Sequence, residues 1–304
     1  MVYIITGGAG FIGSKIANSL GDVIVIDNLE SGKVSNLKKE VKLVIGDVSD
    51  YKNLKFLETM KGEEVNIFHL AAISNANVSR LNPLKAVKVN VMGTENVLEL
   101  SRVLDAYFVF ASSAAVYGEK TALPIREDSK KEPINLYGYT KSLGEELLES
   151  YVKEYGIKAS SLRLFNVYGE GIKGEENANV VESFARKLMR GERPVIFGDG
   201  TNTRDFVYVD DVVNSFIAIS SKKVTGTFNI GSGKETSIRE LLELVEKAMG
   251  KAIDPVFKEA RKNDIKRSVA DISKAKEVLS WSPKVKLEDG IKKTVDYYKR
   301  YLLL

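Results

Sequence analysis

Cysteine and glutamine are both missing from this chain of 304 residues, and histidine occurs once, at His69. Without cysteine there is no disulfide, no thiolate metal site and no cysteine nucleophile. A single imidazole makes neither a zinc site nor a Ser/His/Asp triad the expected chemistry, so no metal is expected. No apolar run approaches the ~20 residues of a spanning helix, and the opening Met1-Val2-Tyr3-Ile4-Ile5-Thr6 lacks a basic leader. A cytoplasmic protein with no membrane partner is expected. Charge of one sign is not in excess either: 45 Lys and Arg face 41 Asp and Glu, interspersed, for a net +4. Nucleic acid is therefore not an expected partner. Lys and Glu are abundant where Gln and Cys are absent, a bias that suits a thermophilic source.

What is present is ordinary for a globular protein, with 44% hydrophobic and 28% charged residues, in a chain long enough for two modules. The first half alternates short β-rich runs with amphipathic stretches, the pattern of parallel strands joined by crossover helices. Strands are expected at 2–5, 23–26, 42–45, 65–69, 107–111 and 160–165. Helices are expected at 11–20, 54–60, 84–104 and 139–155. After Phe165 the rhythm becomes Gly-rich and charged, with helices near 180–189, 238–249 and 290–302. That reads as a smaller lobe, while the segment 206–230 reads as one more helix and strand returning to the sheet. In such a sheet, residues just after the strands carry most functional information, because ligands bind there.

The first strand runs into Thr6-Gly7-Gly8-Ala9-Gly10-Phe11-Ile12-Gly13 and then a helix, the context a phosphate-cradling glycine turn requires. Strand two ends in Val25-Ile26-Asp27, a carboxylate about 20 residues downstream that can accept from a ribose diol and would repel a 2′-phosphate. NAD is thus favoured over NADP. Asp47, Ala71 and Ala72 fall at the same sheet edge, where they could line the adenine and pyrophosphate; Asp47 could equally cap the next helix. His69, inside an apolar strand, reads as a packed core residue.

Tyr137 and Lys141 stand four residues apart at the entry to a helix, on one face. A neighbouring ammonium favours the phenolate, so the pair predicts a tyrosine of lowered pKa acting as a general base. Tyr51 and Lys55 have the same spacing, but Tyr51 follows Asp50 on a surface helix. Tyr137 lies downstream of strand five, which ends in Ala111-Ser112-Ser113, and a hydroxyl there can orient a substrate oxygen beside the phenol. Strand-end capping is the plainer role for these serines, more so for Ser112.

These stretches, with Ser112-Ser113-Ala114-Ala115-Val116-Tyr117-Gly118, Leu162-Arg163-Leu164-Phe165-Asn166-Val167-Tyr168-Gly169 and Thr203-Arg204-Asp205-Phe206-Val207-Tyr208-Val209-Asp210-Asp211, resemble the extended short-chain dehydrogenase/reductases over nearly the whole length. Among them the likeness is to the UDP-glucose 4-epimerase group. The resemblance implies an α/β fold, a doubly wound parallel Rossmann sheet with a smaller C-terminal substrate-binding lobe. The NAD-binding part would be 1–166 plus about 206–230, and the nucleotide-sugar lobe about 167–205 and 231–304. It implies that Gly7, Gly10, Phe11, Ile12, Gly13, Asp27, Asn28, Asp47, Val48, Ala71 and Ala72 line NAD, with Tyr137 and Lys141 at the nicotinamide end. Ser113, Tyr137 and Lys141 would be catalytic, Lys141 also holding the nicotinamide ribose. Ala115 departs from relatives that carry Ser or Thr there, which leaves more of the load on Ser113.

The same resemblance assigns Asn166 to the substrate diphosphate and Arg204, Arg261 and Asp264 to phosphates and ribose, in keeping with the fit of guanidinium forks to phosphate oxygens. Taken alone, Arg204 could pair with Asp205 or Asp210. Asn179, Val180, Val195 and Phe197 resemble nucleotide and uracil contacts. Ser268 falls where many such enzymes carry a bulky residue in the hexose pocket, so room for a 2-acetamido group is expected. The implied reaction is 4-epimerisation of a UDP-hexose through a 4-keto sugar. The rivals are a 4,6-dehydratase or decarboxylase, which typically has an acid within the segment occupied here by Ser113-Ala114-Ala115, and a dinucleotide-binding module without catalysis, which usually lacks the Tyr/Lys pair. A homodimer through the helices at 84–104 and 139–155 is implied as well.

Overall fold

The computed structural model describes residues 1–120, 122–171, 178–260 and 264–301. Along them run the strands β1 (Val2–Thr6), β2 (Val23–Asp27), β3 (Lys42–Ile45), β4 (Val65–His69), β5 (Tyr107–Ser113), β6 (Ala159–Leu164), β7 (Asn166–Tyr168), β8 (Val195–Phe197), β9 (Thr203–Arg204), β10 (Phe206–Tyr208), β11 (Gly226–Ile230), β12 (Thr236–Ser237) and β13 (Val256–Lys258). The α-helices are α1 (Phe11–Ser19), α2 (Ala76–Leu81), α3 (Pro83–Val87), α4 (Gly93–Leu104), α5 (Leu136–Tyr155), α6 (Val180–Met189), α7 (Val209–Lys222), α8 (Ile238–Met249), α9 (Ser273–Leu279) and α10 (Leu287–Tyr301). None of the described helices is long and apolar enough to cross a membrane.

Two compact units share the chain. The first comprises Met1–Gly118, Lys130–Leu164 and Val213–Phe228. Its sheet has the order β3-β2-β1-β4-β5-β6-β11, with neighbours from β3 to β6 parallel. This is the expected doubly wound α/β sheet. Runs such as Val23–Ile26 and Tyr107–Ala111 are apolar throughout because helices cover both faces of a parallel sheet. Ile4, Ile26, Ile67, Phe108 and Phe110 of the strands form one core with Val97, Leu98 and Leu148 of the helices. Strand order turns back between β1 and β4, which opens a crevice at their carboxyl ends where ligands of such sheets sit.

Two expected helices take different forms. The stretch 54–60 is a 3₁₀ turn at Lys55–Met60, preceded by another at Tyr51–Asn53 capped by Asp50. Leu54 and Leu57, three residues apart, eclipse on one side of such a turn, and both are fully buried. The stretch 84–104 begins at Pro83 and carries a π-helical turn, Lys88–Met92, between α3 and α4.

The second unit comprises Glu119–Ser129, Phe165–Val212 and Asn229–Leu304. It takes Phe206–Val212, part of the stretch the sequence rhythm assigns to the sheet domain, because β10 pairs in parallel with β7. It also takes Glu119–Ser129: the Ile125 N–H donates to the Val269 carbonyl at 2.8 Å, and the Asp271 N–H donates back to Ile125 at 2.8 Å. Helices α6, α8 and α10 pack together around Phe184, Leu188, Leu241, Val245, Ile291 and Val295. Ser237 and Glu240 cap α8 reciprocally, satisfying two N–H groups that a helix start leaves unpaired.

Candidate active site

Gly7 sits at φ +69, and a Cβ there would lie 2.6 Å from the Ala71 nitrogen, so only glycine allows β1 to turn this tightly past β4. A Cβ on Gly13 would lie 2.3 Å from the Gly7 carbonyl, which packs α1 against its own turn. At Gly10 the only neighbour of an added Cβ is that carbonyl, at 3.2 Å, so its outward side is open. Gly10 provides no side-chain cap for α1, and the first turn holds no acidic residue, so the partial positive charge of the helix start suits an anion. Asp27 is buried at the end of β2 and accepts the N–H groups of Ala9 at 2.9 Å and Leu29 at 2.8 Å. Each of its oxygens retains a further lone pair for a ribose hydroxyl. Glycine cradle, open helix start and fixed carboxylate together fit NAD.

The remaining residues assigned to that edge divide. Asn28 donates to Asp47 at 3.4 Å. Burial pushes the Asp47 carboxyl up, but hydrogen bonds from Ser49 and Asn28, with Lys88 nearby, hold it below its ordinary range. The Ala71 N–H approaches the Thr6 hydroxyl at 3.4 Å, with Ala72 beside it, partly buried. Val48, by contrast, packs its side chain into the core near Gly93, so only its backbone faces the edge, with its carbonyl already accepting from Asn96 at 2.8 Å. His69 is a core residue, as expected. It bridges the hydroxyls of Thr6 at 2.7 Å and Thr94 at 3.0 Å and stacks on Phe110. Burial, with the charge of Lys141 adding to it, draws its pKa down to about 3, so the ring stays neutral.

Helix α5 begins at Leu136, and Asn135 caps it by accepting the Gly138 N–H at 2.9 Å. A Cβ on Gly138 would lie 2.5 Å from the Ala115 carbonyl, so the helix start is pressed against the turn that follows β5. There the Ser113 oxygen accepts the Ala115 N–H at 3.2 Å, on the turn against which the Tyr137 end of the helix is pressed. Burial pushes the Tyr137 phenol above its ordinary value, and the neighbouring Ser113 hydroxyl opposes the rise. This corrects the expectation of a phenol lowered by Lys141. Lys141 is itself buried; its Nζ donates to the Ala111 carbonyl at 2.7 Å and lies 4.6 Å over the Phe110 ring. Burial brings its pKa down to about 7 against the pull of Glu145. Tyr51, the decoy, hydrogen-bonds Glu58 at 2.8 Å, and burial followed by that carboxylate pushes its phenol up.

Several residues at this end of the sheet escaped the sequence reading. Asn90, inside the π turn, is buried; it accepts the Ile73 N–H at 2.7 Å and donates to Thr140 of α5 at 3.0 Å. Glu145 and Arg163 form a buried two-point ion pair, Nε to Oε1 at 2.9 Å and NH2 to Oε2 at 2.7 Å. Arg163 also donates to the Tyr117 hydroxyl at 2.9 Å. Ser112, for which strand-end capping was the plainer alternative, instead donates to Glu145 at 2.6 Å. A signal existed: an arginine inside an apolar strand requires a buried anion, and Glu145 lies one helical turn beyond Lys141.

In the second unit, Arg204 pairs with neither Asp205 nor Asp210. It donates to Asp264 at 2.6 Å and to the carbonyls of Thr203 and Ile265 at 2.8 and 2.6 Å. Asn202 donates to the other Asp264 oxygen at 3.1 Å, so the two predicted phosphate and ribose contacts form one cluster. Asn166 starts β7 and is exposed. The Asn179 side chain caps α6 by accepting the Glu182 N–H at 2.9 Å, Val180 opens that helix, and Val195 and Phe197 bound β8. Ser268 is buried two residues before Ala270, whose N–H is held by Asp205 at 3.0 Å. Arg261 lies outside the described residues.

Comparison with known proteins agrees with this geometry. Residues 3–231 match the NAD dependent epimerase/dehydratase family. The UDP-glucose 4-epimerase of Mycolicibacterium smegmatis is 37% identical over 308 residues, covering 97% of this chain and 98% of the relative. UDP-glucuronic acid decarboxylase 3 of Arabidopsis thaliana is 35% identical over 306 residues, covering 96% of this chain and 87% of the relative. The crystal structure of UDP-glucose 4-epimerase from Thermotoga maritima with UDP-glucose superposes with a TM-score of 0.96 at 39% identity, covering 99% of this chain and all of that one. With an NAD-fitting glycine turn and a Ser113/Tyr137/Lys141 cluster on a doubly wound sheet, the chain belongs to the NAD dependent epimerase/dehydratase family of enzymes.

Proposed function

We propose that this enzyme inverts the C4 hydroxyl of a UDP-hexose, interconverting UDP-glucose and UDP-galactose and accepting their N-acetylated counterparts, in cytoplasmic galactose metabolism. The observation that carries the reading is the close packing of the α5 start, which bears Tyr137, on the turn after β5 that bears Ser113, at the edge where Gly7 and Asp27 also stand. NAD, when bound, supplies a reversible hydride acceptor for C4, so that the reaction has no net redox change. Tyr137 accepts the proton of the C4 hydroxyl, and Ser113 holds that oxygen beside the phenol. Lys141, tied to Ala111, helps fix the base and would hold the nicotinamide ribose. Inversion requires the 4-keto sugar to offer its other face while the nucleotide stays tethered, so contacts must be strong to UDP and weak to the hexose.

For the tether, the cluster of Arg204 and Asp264 offers a guanidinium and a carboxylate matched to phosphate and ribose. Asn166, Asn179, Val180, Val195, Phe197 and Arg261 complete the proposed nucleotide contacts. Ser268, a small side chain where a bulky one would fill the hexose pocket, supports acceptance of an acetamido group. The segment Ser113-Ala114-Ala115 contains no carboxylate, which supports epimerisation over elimination or decarboxylation. Leu84, Val87 and Met92, with Tyr139 and Leu143 of α5, are exposed apolar side chains, which supports a homodimer formed through these helices. Purified protein incubated with UDP-glucose, and separately with UDP-N-acetylglucosamine, without added cofactor, should yield the corresponding galacto-sugars by NMR. Loss of a carboxyl carbon from UDP-glucuronic acid, with no C4 inversion of either neutral sugar, would replace this reading with the decarboxylase.

A further inference from the structure

Two consecutive residues of β5 are tied to α5. The Ala111 carbonyl receives Lys141 at 2.7 Å and the Ser112 hydroxyl donates to Glu145 at 2.6 Å. On the helix, Tyr137, Lys141 and Glu145 recur every fourth residue and so share one face. The contact at Glu145 is the more elaborate of the two. Glu145 is 1% exposed and Arg163 4%, and the carboxylate meets the guanidinium fork at two points. Its Oε1 also lies 3.3 Å from the Ser161 hydroxyl, while Lys131 approaches Oε2 at 3.5 Å. Ser112 and Arg163 are partners in the β5–β6 register, so Glu145 grips two neighbouring strands at one level.

We propose that Glu145 is a positioning residue: by binding Ser112 and Arg163 it locks α5 to the end of β5 and so holds Tyr137 in place beside Ser113. A carboxylate is required. An amide would present N–H groups to a guanidinium that itself has only donors, and one of the two bonds would be lost. The precision matters because a hydrogen bond weakens steeply outside about 2.5–3.0 Å for O–H to O, and a reacting pair displaced by about 1 Å loses on the order of a hundredfold in rate. This deepens the epimerase reading, on which its catalytic consequence rests.

The test uses full-length protein loaded with NAD, in wild type, Glu145→Gln and Ser112→Ala forms. Ser112→Ala removes the tie to β5 while keeping the buried ion pair, so it remains informative should Glu145→Gln fail to fold. Three quantities are read: bound NAD by absorbance, kcat and KM for UDP-galactose, and the titration of the Tyr137 phenol by NMR of ring-labelled tyrosine, assigned with Tyr137→Phe. In Ser112→Ala we expect retained NAD, kcat lower by about tenfold to a hundredfold, KM within about threefold of wild type, and a phenol that titrates at higher pH because Ser113 is held less closely to it. An unchanged Tyr137 titration in Ser112→Ala overturns the proposal whatever the rate does. Should wild type convert no UDP-hexose, the epimerase reading falls separately, and the titration still decides the role of Glu145.

Discussion

The ammonium of Lys141 donates to the carbonyl of Ala111 at 2.7 Å, a placement that directs its charge at β5, while the group that eases the Tyr137 proton is Ser113. Burial lowers Lys141 to about 7, whereas a lysine in the unfolded chain holds its proton to about 10.4. Between those values the unfolded state binds the extra proton, so this residue makes stability rise with pH across the window. Lys141→Met should therefore raise the melting midpoint at pH 6 by several °C, on the order of a few kcal/mol, with the gain shrinking toward zero by pH 10. Calorimetry of both proteins across that range checks the sign; a gain that grows with pH would contradict it.

Tyr137→Phe removes the proton acceptor and leaves the packing of α5 intact. Turnover should fall at least ~10²-fold, while NAD content and melting midpoint stay close to wild type. Conversion of UDP-galactose followed by NMR, with cofactor content read by absorbance, measures both; near-normal turnover would assign the base elsewhere.

Asp27→Asn keeps the shape of the β2 end but replaces a charged acceptor with an amide. Hydrogen bonds to a charged group are worth about 1.5–3 kcal/mol, so NAD should bind roughly tenfold to a hundredfold more weakly. Equilibrium dialysis against NAD measures this. Unchanged affinity would show that the carboxylate serves only Ala9 and Leu29.

Ser268→Tyr should suppress turnover of UDP-N-acetylglucosamine by at least about tenfold while sparing UDP-glucose, since one bulky ring takes the room of an acetamido group. Parallel kcat/KM measurements on the two sugars decide. Equal losses on both would mean that Ser268 does not face the acetamido position.

The absence of Cys and Gln beside abundant Lys and Glu predicts a melting midpoint above the 45–65 °C or so typical of mesophile domains. Differential scanning calorimetry near neutral pH measures it directly.

Local chemistry was legible at once. A positive φ at Gly7 and the crowding at Gly13 follow from glycines placed between a strand and a helix, and Asp27 reaches the same edge because parallel strands end together. The four-residue spacing of Tyr137 and Lys141 put both on one helix face, as found. Which way the Val48 side chain packs was not legible, because an edge position does not say it. Asp264 and Arg204 were each legible as polar site residues, but their pairing joins positions sixty residues apart.

By itself, then, the amino-acid order determined the alternation of strands and helices, the cofactor turn and the presence of a serine, a tyrosine and a lysine at one edge, since each depends on backbone preference and short-range periodicity. Tertiary packing alone decided which protons are loose and which charges meet. The rise of the Tyr137 phenol, the fall of Lys141 and the union of Glu145 with Ser112 and Arg163, 33 and 18 positions away, come from desolvation and long-range contact, quantities that no local spacing encodes.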